Sequence, residues 1–157
     1  DVLQPSGNLS NTSEADYFDP ELRQSEDVEF WLRLITTTQW QIEGLAKPLT
    51  RYRLSGGGLS ANTKQQLATW EAFLDKAKGY APELVKRHGG LARAYQLRYL
   101  SRRSIQMRQP LSAARYLTAA FAEDAAILFE EPKRTLLTLA ACGVSLIMGP
   151  FLRLLPK

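Results

Sequence analysis

Residues 18–34 read Phe18-Asp19-Pro20-Glu21-Leu22-Arg23-Gln24-Ser25-Glu26-Asp27-Val28-Glu29-Phe30-Trp31-Leu32-Arg33-Leu34. Ser25 suits a helix N-cap, because its hydroxyl can accept from a backbone N–H left over at the first turn. Glu26, Asp27 and Glu29 then set negative charge at the positive end of the helix dipole. Val28, Trp31, Leu32 and Ile35 recur at helical spacing. The pattern predicts a short amphipathic helix over 25–37, ended by Thr36-Thr37-Thr38, whose β-branched side chains favour extended backbone. Two adjacent carboxylates, Glu26 and Asp27, stand on its first turn, with Trp31 and Arg33 on the next. A carboxylate so placed can take a proton from a substrate hydroxyl in a dry site. The same acids also serve simply as capping charge.

Before this helix, Asp1–Asp16 reads as loop, with Pro5, Gly7 and a Ser/Thr/Asn cluster. After it, Trp40-Gln41-Ile42 and Leu49-Thr50-Arg51-Tyr52-Arg53-Leu54 read as strands, with Pro48 at the turn between them. Ser55-Gly56-Gly57-Gly58 is a loop able to approach a ligand closely. Beyond Ser60 the chain is helical in pattern. Leu67, Trp70, Phe73 and Leu74 mark a helix near 61–78. A short one near 80–88 starts at Pro82 and closes at Gly89-Gly90. Leu91, Ala94, Tyr95, Leu97 and Leu100 mark the next, broken at Gln109-Pro110. Residues 111–128 give another, with Ala113, Ala114, Leu117, Ala120 and Phe121 inward. These last two form an αα-hairpin whose small alanines permit close approach.

The fold class expected is α+β and mostly α. Residues 1–60 form the end of an α/β domain, 61–134 a helical bundle, and 135–157 a hydrophobic helix. The first part alone buries its apolar face poorly, since its strands lack sheet partners.

With 157 residues, 45% of them hydrophobic, the chain has apolar mass for a folded core rather than a disordered one. One cysteine, Cys142, excludes an internal disulfide and multi-cysteine zinc sites. One histidine, His88, excludes His-rich metal centres. The chain begins at Asp1, and its only methionines are Met107 and Met148. The expectation is a piece of a longer polypeptide.

Charge changes sign along the chain. Residues 1–60 hold nine acids and five bases, and 61–157 hold seven acids and fifteen bases. Leu84–Ala122 has no acid but carries Lys86, Arg87, Arg93, Arg98, Arg102, Arg103, Arg108 and Arg115. Such a stretch meets phosphates, or else pairs with acids elsewhere in the fold. Thr135–Leu152 is uncharged, between Lys133-Arg134 and Arg153. It is either a buried helix or a membrane-embedded or interfacial one.

The run Phe-Asp-x-x-Leu followed by Ser-Glu-Asp-x-Glu-Phe-Trp-Leu-Arg-Leu resembles the late part of family 2 glycosyltransferases with the GT-A fold. The likeness continues through Lys47-Pro48-Leu49 and Tyr52-Arg53-Leu54-Ser55-Gly56-Gly57-Gly58-Leu59-Ser60, covering roughly Tyr17–Ser60. The resemblance implies an inverting, metal-dependent enzyme that moves a sugar from a nucleotide-sugar donor to a hydroxyl acceptor. By that analogy Asp27 is the general base and Glu26 shares acceptor binding. Arg33 orients carboxylate or phosphate, and Trp31 supports the site by packing. Tyr52, Arg53 and the loop with Gly56 and Gly57 border the donor pyrophosphate. The implied cofactor is a divalent metal, Mg or Mn, with ligands mostly outside this chain. Where many members carry a His after the Tyr-Arg-x triplet, this sequence has Ser55, and no Asp-x-Asp occurs anywhere in it. The resemblance thus implies the acceptor half of an enzyme whose donor half lies elsewhere. Its setting is polysaccharide or glycolipid assembly on the cytoplasmic, inner face of a membrane.

The competing reading is a basic helical module without catalysis that binds an anionic membrane or nucleic acid, with Tyr95 and Tyr99 available to stack. Nucleic acid is the less expected partner, because no nucleic-acid motif is present and the arginines fall on several helix faces.

Overall fold

The computed structural model describes residues 17–51 and 62–152, with side-chain environments described through residue 148. Among the described residues the regular structure is helical throughout. A 3₁₀ turn at Pro20–Leu22 leads into α1 (Glu26–Thr37), followed by α2 (Thr63–Tyr80), α3 (Pro82–Gln106), α4 (Pro110–Glu123), the single turn α5 (Ile127–Glu130) and α6 (Pro132–Leu152). The mostly helical expectation therefore holds for these residues.

The expected strands are not formed among the described residues. Trp40–Ile42 and Leu49–Arg51 are irregular. The remainder of the second expected strand, Tyr52–Leu54, lies outside the described residues. Trp40, Ile42 and Leu49 are all exposed. A lone strand with no pairing partner gains no ladder hydrogen bonds to hold it.

α3 is the axis of the bundle, packing on α2, α4 and α6. It runs unbroken through Gly89 and Gly90, where the sequence pattern predicts an end and a new start. Neither glycine has a positive φ. Packing on its neighbours outweighs the cost of about 1 kcal/mol per glycine in a helix interior. The helix ends instead at Gln106, and Arg108 just beyond its C-cap Met107 takes φ 56°. Arg108 N–H donates to Ile105 O at 3.0 Å and Gln109 N–H to Ser104 O at 2.9 Å. This is a Schellman cap with arginine in the place usually given to glycine. Pro110 then opens α4, as Pro82 opens α3 and Pro132 opens α6.

α4 stops at Glu123, short of the predicted 128, because Asp124 is extended and its side chain accepts from Ala126 N–H at 2.8 Å. That local turn competes with continuation of the helix.

Three apolar clusters fill the interior. Leu22, Phe73 and Ala77 join the α1 segment to α2, with Leu32, Trp70 and Tyr80 around them. Ala94, Leu97, Ala120 and Ile127 form the α3–α4 seam, and Ala113, Leu117 and Cys142 seat α6 on α4. The alanines at these crossings are fully buried, as close helix approach requires. Among the described residues no helix is long and apolar enough to cross a membrane.

Candidate functional site

The sequence-predicted site residues on α1 divide between two faces. Asp27 and Trp31, one turn apart, are both exposed, and Val28 and Ile35 are exposed beside them. Most of the apolar stripe of this amphipathic helix thus faces solvent, as expected of a segment that buries its apolar face poorly, and Leu32 alone of its four members packs against the core. The inward contact is largely ionic. Glu29 is completely buried. Arg33 Nε donates to Glu29 Oε1 at 2.9 Å, and Lys76 Nζ on α2 stands 3.3 Å from the same oxygen. Lys76 also reaches Asp19 Oδ2 at 2.6 Å.

Arg33 does more than hold Glu29. Its Nη2 donates to Tyr17 O at 3.1 Å, and its guanidinium lies over the Phe30 ring at 5.8 Å. Phe30 in turn contacts Tyr17, Phe18 and Trp31, with ring centroids 6.1, 5.1 and 5.1 Å away. An aromatic cluster thus caps the ion network and runs out to the exposed Trp31.

The first turn of α1 is built by its own acids. Glu26 accepts from Gln24 N–H, which holds Gln24 at φ 115° in the left-handed region. Asp19 accepts from Glu21 N–H at 2.9 Å and starts the 3₁₀ turn. Asp27 Oδ1 accepts from Val28 N–H at 2.8 Å. Its other oxygen has no hydrogen-bond partner among the described residues. Ser25, the expected N-cap, occupies that position but makes no side-chain capping bond.

Two groups near this network are displaced in pKa. The Lys76 hydrogen bond, with help from Glu21 N–H, holds the Asp19 carboxyl below its ordinary range. Burial, with the Glu29 charge nearby, pushes the Tyr80 hydroxyl up to about 12.

Tyr52, Arg53, Gly56 and Gly57 lie outside the described residues. Glu29, Lys76, Asp19 and Tyr80 were not singled out as site residues from sequence. The Glu29–Arg33 spacing of four does signal a helix ion pair, but nothing local marks Lys76, on a different helix, as their partner. Among the described residues no group of three or more His, Cys, Asp or Glu side chains is placed to hold a metal ion.

The acid-free stretch does not form one cationic face. Arg93 ties Glu71 on α2 to Glu123 on α4. Arg98 is buried, paired with Glu131, bonded to Thr135 Oγ1 at 2.7 Å and stacked on Tyr95 at 4.9 Å. Arg103 is buried as well. Cys142 is buried, and burial raises its thiol pKa, as fits a packing residue.

No protein-family model, curated protein or solved structure matches the chain.

Proposed function

We propose that this chain is the acceptor-side part of an inverting glycosyltransferase that moves a sugar from a nucleotide-sugar donor to a hydroxyl acceptor. The observation that carries the reading is the position of Asp27. Its carboxylate stands exposed on the first turn of α1 with one oxygen unbonded among the described residues, while Glu29, Arg33 and Lys76 pin the opposite face of the same helix. A base of this kind is fixed in place yet open to substrate.

In the proposed reaction Asp27 takes the acceptor O–H proton as that oxygen bonds to the anomeric carbon. The bond from this carbon to the donor phosphate breaks on the opposite side, and the nucleoside diphosphate leaves with the electron pair. Glu26 shapes the turn that presents Asp27 and shares acceptor binding. Trp31 forms the floor beside it, and Arg33 acts through Glu29 as a positioning residue. Tyr52, Arg53, Gly56 and Gly57 border the pyrophosphate, where Arg53 offsets developing charge. The donor-binding half lies outside this sequence, and the exposed Val28, Trp31 and Ile35 are surface available to it.

The test is sugar transfer by the longer polypeptide that carries this segment, with and without Asp27→Asn. The expected result is a loss of about 10²–10⁴-fold in turnover, the usual contribution of a general base, with the fold retained. Near-normal turnover in that variant overturns the assignment of Asp27. Turnover by the 157-residue chain alone overturns the reading of it as a half-enzyme.

A further inference from the structure

α6 has two unlike faces. Thr135, Thr138 and Cys142 are buried against the bundle. On the other side Leu136, Leu137, Val144 and Ile147 are 53, 70, 55 and 72% exposed. Their spacing makes one continuous stripe along the helix. Beside it a groove of about 600 Å³ opens between α3 and α6, with Arg102, Gln106, Arg134, Ile105, Leu137 and Ala141 among its walls. Leu137 belongs to both, so the groove and the stripe form one surface.

The groove is cationic in net charge, its two arginines sharing the Glu131 carboxylate at its edge. No acid lines it. Arg102 makes no salt bridge or hydrogen bond among the described residues. Arg134 reaches only Glu131, at 3.3 Å, and that carboxylate is shared with the buried Arg98. Lys133 adds a further exposed base at the same end of α6, against the exposed Glu130. Arg98, Arg102 and Arg134 around the single Glu131 carboxylate leave surplus positive charge next to a row of bare aliphatic side chains, which matches a ligand with a phosphate head and an acyl body. A second copy of the chain pairing stripe to stripe would cover the apolar side chains but leave the surplus charge of the groove unmatched. A nucleic acid would meet the cations but has no use for the stripe.

We propose that α6 lies in the plane of an anionic bilayer surface. Leu136, Leu137, Val144 and Ile147 enter the acyl boundary, and Arg102 and Arg134 hold a lipid phosphate. The surface is separate from the face of α1 that carries Asp27, and the proposal stands or falls independently of sugar transfer.

The experiment is cosedimentation of the 157-residue chain with vesicles of phosphatidylcholine alone and of phosphatidylcholine with phosphatidylglycerol in equal parts. The mixed vesicles should bind at least about tenfold more tightly, with the difference shrinking as salt rises. Val144→Asp combined with Ile147→Asp should abolish binding while far-UV circular dichroism is unchanged, since both positions face solvent. Arg102→Ala and Arg134→Ala should each weaken binding by about fivefold, the share of one base near an anionic surface. Should the aspartate pair unfold the helix, the arginine variants decide. Equal binding to both vesicle types overturns the proposal. So does wild-type binding by the arginine double variant, and so does a concentration-dependent dimer or salt-sensitive DNA retention in place of vesicle binding.

Discussion

Lys76 Nζ on α2 stands 3.3 Å from Glu29 Oε1 on α1, joining side chains forty-seven positions apart around a carboxylate that is entirely buried. With Leu22 and Leu32 packed on the α2 side chains, this contact ties the acid-rich segment to the basic bundle. Glu29 is the hub, because it holds Arg33 as well. Removing the hub takes the buried carboxylate from both cations at once, leaving Lys76 with Asp19 and Arg33 with Tyr17 O, whereas removing Lys76 leaves the Glu29–Arg33 pair intact. Glu29→Ala should therefore cost about 3 kcal/mol, the low end for breaking a buried pair, because Arg33 and Lys76 still reach water. Lys76→Ala should cost about 1 kcal/mol or less, as for a largely exposed partner. Urea denaturation midpoints compare the two. Equal losses would mean that the Glu29–Lys76 contact, rather than Glu29 itself, holds α1 to α2.

Acid should weaken the same junction. The Lys76 hydrogen bond keeps Asp19 below its ordinary value of 3.8. A depressed carboxyl contributes stability that is fully present above that value and lost as pH falls through the lowered one. Glu131 behaves alike, held down chiefly by its hydrogen bond from Arg98. The wild-type chain should lose stability steadily below about pH 4, and Asp19→Asn should flatten that slope. An unchanged acid limb in the variant would place the proton uptake elsewhere.

How much of this was readable in the sequence depends on how far each signal reaches along the chain. α1 follows from Ser25 and the acids after it, and the α3–α4 hairpin follows from Gln109-Pro110 and the buried alanines of α4. These are local cues, and local cues survive folding. The orientation of α1 is not local. Val28, Trp31 and Ile35 form an apolar stripe, yet α2 meets the other side of the helix with Lys76 and Phe73. The strand-like patterns at 40–42 and 49–51 failed for a related reason, since a strand exists only where another pairs with it. Asp27 was legible as a residue type at a helix start. The network that fixes its helix was not, because Lys76 lies on another element.

Tyr80 marks the alkaline side. Its hydroxyl is buried without a hydrogen-bond partner among the described residues, and burial beside Glu29 lifts it from an ordinary 10 to about 12. The folded chain holds this proton longer than the unfolded chain does. Its stabilising contribution is therefore intact below pH 10 and lost as pH rises toward about 12. Tyr80→Phe should leave stability at neutral pH within about 1 kcal/mol of wild type, because the removed hydroxyl had no partner to lose. The variant should unfold later in alkali. Absorbance titration of the tyrosines checks the same point, since one fewer late-ionising group should appear.

Gly90 separates the two ways of reading the middle of α3. If Gly89-Gly90 closed one helix and opened another, one of them would occupy the left-handed region and an alanine there would be strained. In the structure the helix passes through both with ordinary φ, and a Cβ at Gly90 would meet nothing within 4 Å. Gly90→Ala should then stabilise the chain by about 0.5–1 kcal/mol, because alanine loses less backbone entropy than glycine in a helix. Gly89→Ala should gain less, since its Cβ would stand 3.2 Å from Val85 Cγ1 and that methyl must give way. Thermal midpoints of the two variants settle the point. A fall in both would restore the helix break that the glycine pair suggests on its own, and a rise at Gly90 alone would confirm that packing along α2, α4 and α6 carries α3 straight through it.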